Sequence, residues 1–340
     1  MFCRLSFLFV ATLALCLGCK QKSRHNTLNT LNPVSSGVPA ASTGVGQGTN
    51  SSVRVSSVGD ASGGLDTMEL DAGLPSFDVD ASDAVVQVET PPAPPFYSKG
   101  ACPQFEEGLN ILSTGDGERL FQLYLPANSS NPSLLFLWHD AGTTAQIFAG
   151  EVGAADLANQ LEAAVVLPNG RPSLSPWGIA NSVHADEDIL FFDDMLACLD
   201  EKLNIDRQRV YSSGVGAGAF WTGVLVMNRS QHLAAAALFN GGFIHYDSPI
   251  RVMPVLIAWG EQGVFDSFGQ ALDVRAWGRA FSAALRDDGH EVVECVYGGI
   301  LQLATEYESW ALPFLFEIQW AGGLKGGALP SYLPSYCQLR

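Results

Sequence analysis

Short apolar runs that alternate with amphipathic segments limit the fold of this chain more than any other feature. Residues 133–138 (SLLFLW) and 163–168 (AAVVLP) are almost entirely apolar, whereas residues 187–203 carry apolar side chains at helical spacing. Continuous apolar runs of this length are typical of parallel strands that are buried on both faces. Their alternation with helices over residues 97–340 predicts an α/β fold, with a mostly parallel sheet and helices on both faces.

The same pattern predicts the remaining elements of this domain. Further strands are expected at 119–126, 209–213, 234–239, 253–260 and 290–297, and further helices at 145–161, 217–228, 271–286 and near 317. No internal repeat is present, so the segment is expected to form one domain.

The first 96 residues have a different character. Arg4 precedes an apolar run from Leu5 to Leu17, which is too short to span a bilayer and predicts a secretory signal peptide over residues 1–19. Residues 20–96 are rich in small and polar residues and end close to a polyproline run. Such a segment cannot bury enough apolar surface to offset its ordering entropy, so we expect a disordered tether before the domain at 97–340.

The signal segment ends in LCLGC, which resembles the lipobox of bacterial lipoproteins. In that family the last cysteine is lipidated and becomes the mature N-terminus, so the resemblance implies lipidation of Cys19. Cys16 departs from the family pattern, which prefers Leu there, and an ordinary cleaved signal is the alternative. Lys20 after the cysteine implies the outer membrane, so we expect an exported protein of the cell envelope that contacts a membrane through its N-terminal lipid anchor only.

Charge excludes one large class of partners. The formal net charge is −17 and the isoelectric point is about 4.6. Nucleic-acid binding requires a basic face that neutralises phosphates, so no nucleic-acid partner is expected. Binding to an anionic membrane surface is disfavoured for the same reason.

The four cysteines of the domain predict two disulfides, because an even number in an exported domain is typical of a disulfide framework. Domain termini are often close together, so we expect Cys102 to pair with Cys337 and Cys198 with Cys295, although four cysteines allow three connectivities. No CxxC motif or His-rich cluster suggests a metal site, and no cofactor is expected.

Residues 209–220 (RVYSSGVGAGAF) predict a strand, a tight glycine turn and a helix. The pattern Gly-x-Ser-x-Gly presents a nucleophilic serine on such a turn, but here Gly216 stands between Gly214 and Gly218. The strained turn costs a residue with a side chain about 1–3 kcal/mol, and glycine adopts it without that cost. Gly216 therefore marks a nucleophile position without a nucleophile. Ser212 and Ser213 lie on the strand and would have to leave the sheet to replace it.

Several motifs in this order resemble the secreted esterase branch of the α/β-hydrolases, which includes polyhydroxybutyrate depolymerases and feruloyl esterases. They lie within residues 119–337 and read LYLP, LLFLWHDAGTTA, VVLPNG, DILFFDDMLACLDEKLNIDRQRVYSSG and MPVLIAWG. The resemblance implies an α/β-hydrolase fold, a family activity on carboxylic esters, and a structural role for His139 in the oxyanion loop.

The resemblance also assigns positions for the acid and the base. The acid position holds Gly263, with Asp266 three residues later as a substitute or a solvated loop residue. The base position lies near Leu301, and no histidine follows His290. His184 and His245 lie in predicted loops, and the sequence does not indicate where their side chains point.

These departures favour a non-catalytic binding or structural protein, a pseudoenzyme. The backbone N–H groups of Ala217 and of Asp140 or Ala141 would persist as oxyanion donors, which suggests an acyl or carboxylate ligand. Asp140 weakens the case for an anion. The alternatives are an active carboxylic-ester hydrolase with a substitute triad and a surface protein without a cleft. Trp138, Trp177 and Trp221 either line a pocket or belong to the core, and the core is favoured.

Overall fold

A nine-stranded sheet organises the computed structural model, which describes residues 90–128, 130–172, 176–179, 184–267, 270–299, 310–324 and 327–340. The strands are β1 (Gly108–Thr114), β2 (Gly117–Tyr124), β3 (Ser133–Trp138), β4 (Ala163–Pro168), β5 (Val210–Val215), β6 (Ala235–Phe239), β7 (Val255–Gly260), β8 (Val264–Ser267), β9 (Gln270–Asp273), β10 (Val292–Tyr297) and β11 (Cys337–Leu339). The helices are α1 (Ala145–Glu151), α2 (Ala154–Gln160), α3 (Ala185–Leu203), α4 (Ala217–Arg229), α5 (Val274–Asp287) and α6 (Leu312–Phe316), and a 3₁₀ turn covers Ser230–His232.

The strand order in the sheet is β1-β2-β4-β3-β5-β6-β7-β10-β11, while β8 and β9 form a separate hairpin. Strands β4, β3, β5, β6, β7 and β10 are parallel to their neighbours within this set. The edges formed by β1 with β2 and by β11 are antiparallel. The predicted α/β class with a mostly parallel sheet is confirmed, and β5, which leads to Gly216, lies in the middle of that sheet.

Burial on both faces explains why the central strands are almost entirely apolar. Leu135 and Leu137 of β3 join a core with residues of α1, α2 and α6, whereas Leu134, Phe136 and Trp138 face the opposite core with α3, α4 and α5. A polar side chain on either face of such a strand would be buried without water. The period-2 alternation of a half-buried strand is therefore absent here.

The peripheral elements differ from the sequence-based expectation. The predicted helix 145–161 is divided into α1 and α2 at Gly153, which has a φ of 60°. Strands β1, β8, β9 and β11 were not predicted. β1 exposes Leu109 and Ile111 on one face (59% and 54% exposed), so it lacks the continuous buried pattern that identified the central strands.

The predicted disulfide pairing is wrong. Cys102 is bonded to Cys198 of α3, and Cys295 of β10 is bonded to Cys337 of β11, its register partner in the antiparallel pair. The expectation that the two ends of the domain are adjacent fails because β1 and β11 form opposite edges of the sheet. With a strand spacing of about 4.8 Å, eight intervals separate these edges by roughly 40 Å.

The chain joins the domain at the N-terminal ends of the parallel strands. Thr90 and Pro91 line a groove of about 490 Å³ together with Asn131 and residues 204–208, which precede β3 and β5. Farther along, Ser98 donates hydrogen bonds from its N–H and its hydroxyl to Asp194 (2.8 and 2.7 Å). Residues 90–96 belong to the predicted tether. They begin beside the N-terminal ends of the parallel strands, whereas Gly216 lies at the C-terminal end of β5.

No helix in the part of the chain that the structure describes is long and apolar enough to cross a bilayer.

Candidate functional site

The candidate site is built on the turn between β5 and α4. Gly216 has φ 52° and ψ −116°, a backbone conformation that disfavours residues with a side chain. The flanking glycines are required for close packing: a Cβ on Gly214 would lie 2.2 Å from the Gly218 carbonyl oxygen, and a Cβ on Gly218 would lie 2.0 Å from the Trp138 carbonyl oxygen. The glycine frame is therefore necessary for this turn whether or not a nucleophile is present.

The carboxyl group of Asp140 lies directly over this turn. Asp140 follows β3, and its Oδ1 accepts hydrogen bonds from the Ala217 N–H (2.8 Å) and the Ala141 N–H (2.7 Å). A Cβ built on Gly216 would lie 2.1 Å from Oδ1 and 2.3 Å from Cγ of Asp140. The carboxyl group thus occupies the space that a side chain at position 216 would need.

Two of the backbone groups named as oxyanion donors, Ala217 and Ala141, therefore converge on a single oxygen atom, and that oxygen belongs to the protein itself. Burial raises the pKa of the Asp140 carboxyl above its ordinary value, while the hydrogen bonds from Ala217 and Ala141 oppose this rise. Desolvation disfavours the charged form of the Asp140 carboxyl group, whereas the two N–H donors stabilise that charged form.

His139 fixes the loop that carries Asp140. Its Nδ1 lies 2.7 Å from the Asp140 carbonyl oxygen, and its Nε2 accepts a hydrogen bond from the Gly170 N–H (3.0 Å). Because Nε2 accepts, Nδ1 carries the proton and donates it to the carbonyl oxygen. Burial lowers the pKa of His139, which agrees with a neutral ring. Both ring nitrogens have structural partners, so His139 does not act as a base towards Gly216.

Neighbouring segments hold the same loop from the other side. Trp177 donates from Nε1 to the His139 carbonyl oxygen (2.9 Å), and the Asn169 side chain accepts from the Ala145 N–H (2.8 Å) at the start of α1. The segment around Trp177 is in turn fixed by Asp188, which accepts from the Gly178 N–H (2.7 Å) and pairs with Arg119 (2.8 Å). The position of Asp140 is therefore determined by packing and hydrogen bonds beyond its own contacts.

The two serines of β5 have structural partners inside the sheet. Ser212 accepts a hydrogen bond from Trp138 Nε1 (3.0 Å), and Ser213 donates to the Ala237 carbonyl oxygen (3.0 Å). Both side chains are fully buried. These hydrogen bonds do not orient either serine hydroxyl toward the turn at Gly216.

The acid position has no room for a side chain. A Cβ on Gly263 would lie 2.8 Å from Cγ2 of Val274 and 2.9 Å from the Gly260 carbonyl oxygen. The backbone of Asp266 belongs to β8, and its side chain lies outside the described residues, as does the base position near Leu301.

None of the other four described histidines has a hydrogen bond or ion pair with Asp140 or Gly216, and one of them, His232, lies in the 3₁₀ turn after α4. His290 Nδ1 lies 3.0 Å from the carbonyl oxygen of Met253, which precedes β7 and so belongs to the opposite end of the strands. His184 pairs with Glu187 (2.7 Å) in front of α3. His245 is exposed and lies 3.7 Å from Asp247.

The three tryptophans belong to the core. Trp138, Trp177 and Trp221 are at most 2% exposed and pack against one another with ring centroids 5.1–6.4 Å apart. Two shallow pockets among the described residues, the groove at Thr90 and one of about 140 Å³ lined by Phe314 and Pro330, do not include Gly216. No group of three potential metal ligands occurs in the same set of residues.

From the sequence, Asp140 is expected as a backbone N–H donor, and its acidic side chain serves only as an argument against an anionic ligand. The structure assigns its side chain the central position instead, and its own N–H is not one of the two donors to Oδ1. The available signal was an acidic residue in the loop next to a turn that lacks its expected side chain. That signal could suggest that the side chain of Asp140 fills the space left by Gly216. It could not show that the carboxyl group accepts hydrogen bonds from Ala217 and Ala141.

Comparisons with known proteins agree with this architecture. Feruloyl esterase D of Neurospora crassa is 29% identical over 164 residues, which cover 44% of this chain and 54% of the relative. The chain therefore spans about half the length of this curated relative. No protein-family model matches the chain.

Native sOPH and native pOPH are among the solved structures that share the fold. Native sOPH is 17% identical with a TM-score of 0.58, covering 71% of this chain and 96% of its own. Native pOPH is 19% identical with a TM-score of 0.56, covering 70% and 96% respectively.

Proposed function

We propose that this chain, which has the α/β-hydrolase fold and resembles esterases and depolymerases of that superfamily, is a non-catalytic binding or structural protein of the cell envelope. One observation carries the proposal: the turn that would present a nucleophile holds Gly216, and the space above it contains the Asp140 carboxyl. Ester hydrolysis by this fold requires a nucleophile at that turn and a base beside it.

The expected loss of rate is large. In a serine hydrolase, removal of the catalytic residues lowers the rate by about 10⁶-fold, and the residual rate enhancement depends on the oxyanion donors and on substrate binding. Here the Ala217 and Ala141 amides already bind an internal oxygen. The residual contribution of an oxyanion hole is therefore expected to be absent as well.

Hydrolysis of p-nitrophenyl acetate and butyrate by the purified exported domain tests this proposal. We expect a rate equal to that of buffer, and no covalent labelling by a serine-directed fluorophosphonate. Ser213→Ala is the matched control, because Ser213 is the nearest serine on β5 to the turn. Turnover or labelling that disappears in Ser213→Ala would show that a substitute nucleophile operates.

The second candidate is an active carboxylic-ester hydrolase with a substitute triad. It is favoured by the likeness to feruloyl esterase D, although that likeness covers only part of both chains. This candidate requires saturable ester turnover by the unmodified protein, so the same assay distinguishes the two functions.

A binding role at this turn requires an acyl or carboxylate ligand that displaces Asp140 from the two amides. The Ala217 and Ala141 N–H groups are suited to an acyl or carboxylate oxygen, since they already bind one at hydrogen-bond distance. Calorimetric titration with short acids, hydroxybutyrate oligomers and ferulate esters addresses this role. Absence of binding by all of them would favour a structural role.

Export and lipidation at Cys19 complete the proposed function. The two disulfides of the domain support an oxidising compartment. We expect an alkyne-labelled fatty acid to be incorporated into the full chain in a bacterial host and to be lost in Cys19→Ser. Cys16→Ser is the matched control and should retain the label; equal labelling of Cys19→Ser would contradict the assignment.

A further inference from the structure

We propose that Asp140 is an internal occupant of the acyl-oxygen site, so that the domain excludes small carboxylates from its own oxyanion donors. The inference rests on the proposed function and concerns the regulation of the same site. It goes beyond the loss of a nucleophile, because a Gly216 turn without Asp140 would leave the two amides free to bind a ligand.

The Asp140 carboxyl group fills the space above the Gly216 turn. A Cβ on Gly216 would lie within 2.1–2.5 Å of Oδ1, Cγ and Oδ2 of Asp140. Atoms of a bound ligand that took the place of a nucleophile would meet the same obstruction. Positions 140 and 216 therefore share one volume, and only one of them can carry a side chain in this arrangement.

Hydrogen bonding leads to the same conclusion. Oδ1 accepts from Ala141, its sequence neighbour, and from Ala217, which is 77 residues away in the chain. A carboxylate ligand needs both donors for its own oxygen. The Asp140 carboxyl group competes with an external carboxylate for these two amides. It does so at a high effective concentration, because folding has already fixed its position.

The loop is held in a way that keeps the carboxyl group in position. Both ring nitrogens of His139 are hydrogen-bonded, one of them within the loop to the Asp140 carbonyl oxygen. Trp177 binds the His139 carbonyl oxygen. Displacement of Asp140 would therefore disturb several contacts, and a weak external ligand is not expected to achieve it.

The test compares Asp140→Ala with Asp140→Asn in the otherwise unmodified protein. Alanine removes the occupant, whereas asparagine retains an oxygen that can accept the same two hydrogen bonds and removes only the charge. Binding of formate and acetate is measured by calorimetry, and near-UV circular dichroism verifies that each variant is folded. Should Asp140→Ala fail to fold, Asp140→Gly replaces it.

We expect Asp140→Ala to bind formate or acetate at least tenfold more tightly than the wild-type protein and Asp140→Asn. Absence of binding by the folded Asp140→Ala protein, or by Asp140→Gly where that variant replaces it, would overturn the inference. Equal binding by Asp140→Asn and Asp140→Ala would also overturn it, because charge rather than occupancy would then exclude the anion. Ester turnover by the wild-type protein would refute the proposed function independently of these results.

Discussion

Gly216→Ala is expected to lower the free energy of unfolding by about 2–6 kcal/mol, although it adds only one methyl group. Two effects contribute. A residue with a side chain in a strained backbone conformation costs about 1–3 kcal/mol, and Gly216 has φ 52° and ψ −116°. Insertion of an atom into a filled space costs about 1–3 kcal/mol, and the new Cβ would lie 2.1 Å from Oδ1 of Asp140. Urea unfolding followed by circular dichroism measures the total.

A double-mutant cycle separates these contributions. Combined with Asp140→Ala, the Gly216→Ala substitution should keep only its backbone component, which leaves a coupling of about 1–3 kcal/mol between the two positions. Gly289→Ala is the matched control, because Gly289 has φ 86° and no atom within 4 Å of its Cβ position. Equal destabilisation by Gly216→Ala with and without Asp140 would refute the shared volume.

Removal of the Cys102–Cys198 disulfide as the double alanine variant is expected to destabilise the domain by about 2–5 kcal/mol. The bond closes a sequence separation of 96 residues, for which the chain-entropy model gives roughly 4.7 kcal/mol. It also attaches the segment before β1 to α3, where both cysteines are buried. Urea unfolding of the variant, compared with the oxidised wild-type domain, measures this loss.

The second disulfide provides the comparison. Cys295–Cys337 closes a separation of 42 residues, for which the same model gives roughly 4 kcal/mol, and it joins two strands that are already paired. We expect its removal to cost less than removal of Cys102–Cys198. Non-reducing peptide mapping that recovered Cys102 linked to Cys337 would contradict both assignments.

The central strands could be predicted from the sequence because burial on two faces leaves a local mark. The runs at 133–138 and 163–168 are apolar at nearly every position, and both form strands of the central sheet. The edge strands have no such continuous apolar run in the sequence. β11 has three residues, and β1 presents an exposed apolar face, so their pairing depends on neighbours that are distant in sequence.

The same distinction applies to the site. The glycine frame from Gly214 to Gly218 could be predicted because the turn is local, and its required backbone is specified within five residues. The contact of Asp140 with Ala217 joins segments 77 residues apart, and no periodicity reports it. The disulfide pairing failed for a related reason, since adjacency depends on the strand order across the whole sheet.

The attachment of Thr90 and Pro91 beside residues 204–208 has a practical consequence. A surface, bead or fusion partner coupled directly at residue 90, in place of the residues before it, would approach the domain from the end of the sheet where β5 begins. Gly216 directly follows this six-residue strand. At roughly 3.3 Å per residue, it therefore lies about 20 Å from the start of β5. Immobilisation directly at residue 90 should consequently leave the Asp140 end open to titrants and labelling reagents.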